Sequence, residues 1–223
     1  MPAATAIQRC GPRTWLFDLD NTLHDASAHI FPHINRAMTG YIRDLLALDE
    51  AGACQLRQAY WQRYGATLLG LVRHHGVDPD HFLASTHDFP DLRAMLVVEP
   101  GLRAALCRLP GRKIVFSNAP RVYAEAVLRL AGVADCFDRL YAIEQLHYQP
   151  KPALAAFRTL LAREQLEPRR CIMVEDTAAN LAAAKRLGMK TVWVSRSLRR
   201  PPQVDVLVRS ALELPRRAAG RAA

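Results

Sequence analysis

Short apolar runs alternate with longer amphipathic stretches along most of the chain. The runs are TWLFD (Thr14–Asp18), KIVFS (Lys113–Ser117), RLYAI (Arg139–Ile143), CIMVE (Cys171–Glu175), TVWVS (Thr191–Ser195) and VDVLV (Val204–Val208). Rich in β-branched and aromatic residues and too short for helices, they read as strands covered on both faces. Between several of them lie good helix formers, RVYAEAVLRLAG, PALAAFRTLLAREQ and AANLAAAKRLG. The first stops at Gly132 and the third at Gly188, residues suited to helix C-termini. Such alternation predicts an α/β fold, a parallel sheet with helices on both sides.

The rhythm breaks between Leu23 and Glu99. Apolar and aromatic residues recur there at three-to-four spacing, from Ile34, Met38, Tyr41, Ile42, Leu45 and Leu46 to Leu56, Tyr60, Tyr64, Leu68, Leu71 and Val72. Gly76 and Pro79 interrupt the pattern, and a short helix is expected near His81. This predicts a helical bundle inserted after the first strand. The expected partition is a core of residues 1–23 plus 97–215, a helical unit of residues 24–96, and a basic, disordered tail of residues 216–223.

Composition narrows the picture. With 223 residues, half of them hydrophobic, the chain suffices for one good core. Met1 to Thr14 holds no long apolar stretch, so neither a signal peptide nor a membrane span is expected. Cys10, Cys54, Cys107, Cys136 and Cys171 include no Cys-x-x-Cys pair, which argues against zinc or a disulfide framework and suits a reducing cytoplasm. The net charge of +9 raises the question of nucleic acid. Between Ser195 and Ala223, however, seven arginines face only Asp205 and Glu213, without interleaved aromatics. The excess reads as a frayed terminus, so no specific nucleic-acid partner is expected.

Chemistry collects at the strand ends, where open parallel sheets bind their ligands. WLFDLDNTLHD closes the first strand on Asp18 and sets Asp20 two positions on, the spacing that shares a face in extended chain. Ser117 and Asn118 follow the second strand. Glu175 and Asp176 follow CIMV, with Thr177 and Asn180 opening a helix. Lys151, one of only four lysines, lies between Pro150 and Pro152. Four acids converging in one mouth repel each other unless a cation offsets them, and hard oxygen donors suit Mg²⁺ with phosphate oxygens. Ser117, Asn118 and backbone N–H groups at a helix start would supply donors to phosphate, and Lys151 a compact positive charge. Each motif alone has an ordinary reading as a turn, a helix cap or a surface lysine. Together, at strand ends, they favour a site.

FDLDNTL (Phe17–Leu23), FSNAP (Phe116–Pro120), QPKP (Gln149–Pro152) and VEDTAANLAAAKRLGM (Val174–Met189) resemble the four motifs of the haloacid dehalogenase superfamily. The resemblance spans nearly the whole chain and implies a Rossmann-like core with the insertion in the position of a C1-type cap. HIFPHINRAMTGYI and YWQRYGATLLGLVRHHGVDP resemble the caps of its pyrimidine 5′-nucleotidase group. The resemblance implies that Asp18 is a nucleophile forming an aspartyl-phosphate and that Asp20 serves as acid and then base. It implies that Asp18, Asp20 (through its carbonyl) and Asp176 hold Mg²⁺, and that Ser117 and Lys151 bind the phosphoryl group. Glu175 stands where many members have Gly or Asp, and Asn180 where many have a second acid. Glu175 is expected to reach the metal directly or through water, and Asn180 to support the site by hydrogen bonding. Because halide release needs no leaving-group acid, Asp20 favours a phosphatase.

Substrate choice would then fall to the cap, with His24, His29, Phe31, Tyr60, Tyr64 and Thr67 as candidates to meet a base or sugar. The tyrosines, at i and i+4, would equally pack the bundle. The expected function is a cytoplasmic, Mg²⁺-dependent nucleoside 5′-monophosphatase favouring pyrimidine nucleotides, a monomer or homodimer with a small-molecule phosphate ester as its partner. Two alternatives stay open. One is a phosphatase or phosphomutase for sugar phosphates or phosphoglycolate; the other is a non-catalytic phosphate-ligand or nucleic-acid binding protein on the same scaffold.

Overall fold

The structure, a computed structural model, describes residues 13–219. Its centre is a parallel sheet of six strands in the order β3-β2-β1-β4-β5-β6. In chain order, β1 (Thr14–Phe17) precedes five helices: α1 (Ile30–Leu46), α2 (Glu50–Tyr64), α3 (Thr67–His75), α4 (Pro79–Thr86) and α5 (Leu92–Met95). Strand–helix alternation then resumes with α6 (Leu102–Arg108), β2 (Arg112–Phe116), α7 (Arg121–Leu130), β3 (Arg139–Tyr141), α8 (Leu154–Arg163) and β4 (Cys171–Glu175). It closes with α9 (Ala178–Arg186), β5 (Lys190–Val194), β6 (Val206–Val208) and α10 (Leu214–Ala219). Every expected run contains a strand, the shortest being three-residue β3 and β6. Gly132 and Gly188 take positive φ just beyond α7 and α9, as their places in the sequence suggested.

Two apolar clusters cover the sheet. One face packs Trp15, Phe17, Val115 and Val174 under α6 and α7; the other packs Leu16, Ile114, Phe116 and Met173 under α8 and α9. The inserted helices own a third cluster around Ile42, Leu68, Leu71, Phe82 and Leu83. Its base is not separate, because Ile30 and Ile34 of α1 belong to the same cluster as Phe17. Asp49 and Asp78 cap α2 and α4, accepting from the backbone N–H of Gly52 and Asp80, and Pro79 opens α4. Leu45 and Val72, apolar positions expected inside, are exposed.

The C-terminal stretch differs from expectation. Residues 216–219, anticipated as disordered tail, continue α10, anchored by buried Leu214 against Leu102 and Leu106. Residues 220–223 and Cys10 lie outside the described residues. Among the described residues Cys54, Cys107, Cys136 and Cys171 are free thiols, and no helix is long and apolar enough to cross a membrane.

Candidate active site

Register assembles the site. Phe17 of β1 lies level with Val115 of β2 and Val174 of β4, so the three central strands end together. Asp18, Ser117 and Glu175 therefore meet at one carboxyl edge, with the Asp18 N–H donating to the Val174 carbonyl at 2.9 Å. Asn21 takes the left-handed φ of 59° that the turn requires and Asn tolerates. Its Oδ1 accepts from the N–H groups of Ala26 and Ser27, both at 3.0 Å, which makes it a turn residue.

Lys151 is the hub. It is 1 % exposed, and its Nζ donates to Asp18 Oδ1 at 2.7 Å, Glu175 Oε2 at 2.8 Å and the Phe116 carbonyl at 2.7 Å. An ammonium has three protons, and these three acceptors use them all. Thr22 donates to the other Asp18 oxygen at 3.1 Å. Burial, reinforced by the Glu175 charge, pushes Asp18 up to about 7 despite the lysine. Burial likewise pushes Glu175 up to about 7. Burial alone would lower Lys151; the two carboxylates outweigh it and raise the ammonium above its usual value. Two buried acids against one base leave an excess negative charge, and burial raises half-buried Asp176 as well. Carboxylate oxygens of Asp18, Glu175 and Asp176 lie within 4.8 Å of one another. An uncompensated set of hard oxygen donors of this kind fits a divalent cation.

Three of the expected residues are engaged as follows. Asn118, anticipated as a phosphate ligand, clamps the Lys151 backbone: its Oδ1 accepts from the N–H at 2.8 Å and its Nδ2 donates to the carbonyl at 3.0 Å. Glu175 spends one oxygen on Lys151 and the other on the Thr177 N–H at 3.1 Å. Asn180 is buried on α9 and is not among the residues that line the cavity above these groups. Ser117 is buried with its Oγ accepting the Ala119 N–H at 3.0 Å, which leaves its own proton to give.

Above these groups a cavity of ≈ 660 Å³ opens between the sheet edge and the inserted helices. Asp18, Asp20, Ser117, Asn118, Glu175 and Asp176 line its floor; Phe31, Asn35, Arg57, Trp61, Thr67 and His87 are among its upper walls. Of the anticipated cap residues, Phe31 and Thr67 thus reach it, Thr67 with its hydroxyl donated to the Arg57 carbonyl. Tyr60 and Tyr64 do not. Their hydroxyls pair with His75 at 2.7 Å and His74 at 2.5 Å, fastening α2 to α3. His29 is an exposed residue ahead of α1. His24 turns inward, buried, its Nε2 3.0 Å from Asp20 Oδ1.

Sequence reasoning missed Arg57, Trp61, His87 and Tyr123. Tyr123 sits four residues before Val127 in an amphipathic stretch, where nothing sets it apart from a packing residue; its hydroxyl donates to Asp20 Oδ1 at 2.6 Å. Burial, then the Asp20 charge, raises that phenol far above its usual range. Arg57 and Trp61 belong to α2, which has no strong apolar face to mark which side is turned to a ligand. Burial lowers His87 to about 4.

A family model described as haloacid dehalogenase-like hydrolase matches residues 12–188. The chain belongs to the haloacid dehalogenase-like hydrolases. Among curated members of known name, a phosphoglycolate phosphatase of Rhodospirillum rubrum is 32% identical over 86% of this chain and 83% of that protein. Phosphate metabolism protein 8 of Saccharomyces cerevisiae is 24% identical over 79% of this chain, which spans 60% of the yeast protein's length. A haloacid dehalogenase-like phosphatase from Thermococcus onnurineus shares the fold, with a TM-score of 0.68 at 20% identity over 95% of this chain and all of that one. CbbY from Rhodobacter sphaeroides, solved with phosphate, does so at a TM-score of 0.65 and 20% identity over 91% and 96% of the two chains.

Proposed function

We propose that this hydrolase is a Mg²⁺-dependent phosphomonoesterase working through an aspartyl-phosphate. The observation that carries the reading is the Asp18 carboxylate at the cavity floor, aimed by Lys151 and Thr22, with Asp20 two residues on. An Asp18 oxygen attacks phosphorus, the bond to the ester oxygen breaks, and that oxygen takes a proton from Asp20. Water then attacks the acyl phosphate, gives its proton to Asp20, and leaves inorganic phosphate and a free Asp18. Ser117 donates its hydroxyl to a phosphoryl oxygen, and Lys151 balances the charge shared by nucleophile and phosphoryl group. Asp18, Asp176 and the Asp20 carbonyl would hold Mg²⁺, which supplies charge neutralisation and fixes the orientation of the phosphate. Asn118 and Glu175 keep Lys151 in place.

For the leaving group, a nucleoside 5′-monophosphate favouring pyrimidines remains the first reading. The ≈ 660 Å³ cavity has room for it, and Trp61 of α2, 62% exposed on the cavity wall, offers a stacking face in place of the tyrosines. A second reading, a small anionic ester such as phosphoglycolate, is favoured by Arg57. Its guanidinium donates to neutral groups, Asn35 Oδ1 at 2.7 Å and Thr39 Oγ1 at 3.2 Å, with no carboxylate in ion-pair reach among the described residues. The Rhodospirillum relative's name points the same way.

Phosphate release from a panel of uridine, cytidine, adenosine and guanosine monophosphates, phosphoglycolate and glucose phosphates tests both, with Mg²⁺ or EDTA. Turnover is expected only with Mg²⁺, and Asp18→Asn is expected to abolish it while the protein stays folded. Leadership by the pyrimidine esters supports the first reading; leadership by phosphoglycolate that Arg57→Gln removes supports the second. No turnover by folded, metal-loaded protein would sink the phosphatase reading and favour a non-catalytic binder.

A further inference from the structure

Asp20 is held through one oxygen only. Tyr123 donates its hydroxyl to Oδ1 at 2.6 Å, and His24 Nε2 lies 3.0 Å from that same oxygen. Among the described residues no hydrogen bond reaches Oδ2. Tyr123 and His24 are buried and line no part of the cavity, whereas Asp20 is half-buried and does. The two buried rings thus stand behind the carboxyl, and its unengaged oxygen is the one left for the cavity.

The protons follow from the partners. A phenol has one proton, and Tyr123 gives it to Asp20. His24, facing a carboxylate acceptor, donates from Nε2, so Nδ1 carries the lone pair. Nδ1 is buried and has no hydrogen-bond partner among the described residues. A bare ring lone pair there costs less than a stranded N–H, which favours the tautomer with its proton on Nε2. The Tyr123 ring is itself wedged, its centroid 5.3 Å from Phe89 and 5.6 Å from His87, two residues that follow α4. Carboxyl rotation about χ2 is broad and roughly two-fold when unrestrained. Two donors fixed on one oxygen remove that freedom.

We infer that Tyr123 and His24 are positioning residues that lock Asp20 through Oδ1 and leave Oδ2 as the oxygen that exchanges protons with the leaving group and then with water. With both donors on Oδ1, the proton of the acid form resides on Oδ2. In the first step that proton passes to the departing ester oxygen as the P–O bond breaks. In the second, Oδ2 takes a proton from the attacking water. The inference rests on the phosphatase reading.

The test compares wild type with Tyr123→Phe, His24→Gln, which keeps a donor, and His24→Leu, which does not. Two substrates are used: an alkyl phosphate turned over in the panel, and 4-nitrophenyl phosphate, whose leaving group needs no proton. Tyr123→Phe is expected to lower kcat on the alkyl ester about tenfold or more. KM and the pre-steady-state burst of 4-nitrophenolate are expected to stay within about threefold of wild type. His24→Gln should retain most of the activity that His24→Leu loses. Wild-type kcat in Tyr123→Phe, or equal losses in the burst and on the alkyl ester, would overturn the inference and leave the phosphatase reading standing. Should Tyr123→Phe not fold, the two His24 variants decide by the same comparison. A wild type without turnover on either substrate or a burst removes the underlying reading and this inference with it.

Discussion

Lys151 shows how much a single side chain can organise. Its three protons are spent on Asp18, Glu175 and the Phe116 carbonyl, and its backbone is clamped by Asn118. Removing one partner from a buried ionic cluster costs more than the cluster contributes, because the remaining charges lose compensation. Lys151→Met is therefore expected to lower unfolding free energy by about 3–5 kcal/mol, measured by urea denaturation. Adding Glu175→Gln should recover part of that loss, since one buried charge is gone; an additive double variant would show that the two residues do not interact. The sequence displayed the lysine but only its neighbours in space revealed its task. Nothing in QPKP says whether the ammonium reaches solvent or the end of β1.

Among elements, the inserted helices carry the clearest constraint. Gly70 of α3 lies against the ring of Tyr60 of α2, so closely that an added methyl would run into that ring. The same tyrosine bonds His75 through its hydroxyl, so α2 and α3 are fastened at both the ring and its tip. Gly70→Ala is expected to destabilise the protein by about 1–3 kcal/mol through overpacking, despite the better helix propensity of alanine, as a lowered thermal midpoint would register. Strands and helices were legible because burial on both faces and one-sided burial leave distinct periods. The same signal left the tyrosines open: an i, i+4 aromatic pair marks a face without saying whether a ligand or another helix meets it. It also hid Tyr123, whose ring packs in the core while its hydroxyl reaches Asp20.

At the scale of the whole molecule, sheet register and the insertion together create a negatively charged floor under a cavity. Asp18 and Glu175, pushed up to about 7, hold protons that the unfolded chain would have released near its ordinary carboxylate values. Without metal, their contribution to stability is therefore fully present at low pH and is lost as pH rises through about 7. A cation that favours the ionised carboxylates must displace those protons in acid. Mg²⁺ should accordingly raise the thermal midpoint more at pH 8 than at pH 5, the stabilisation at pH 8 being about 2.7 kcal/mol at a concentration a hundredfold above Kd. An equal shift at both pH values would place the ion elsewhere. The sequence by itself determined the parallel α/β core, the position of the inserted helices and the acidic residues at the strand ends, because periodicity and strand-end placement are local and repeat along the chain. Only the tertiary structure decided which groups face one another: Asn118 on Lys151, Tyr123 and His24 on Asp20, Arg57 and Trp61 rather than Tyr60 and Tyr64 on the cavity. Those pairings join residues up to 103 positions apart, and contact at that range is fixed by packing and register, which no local pattern records.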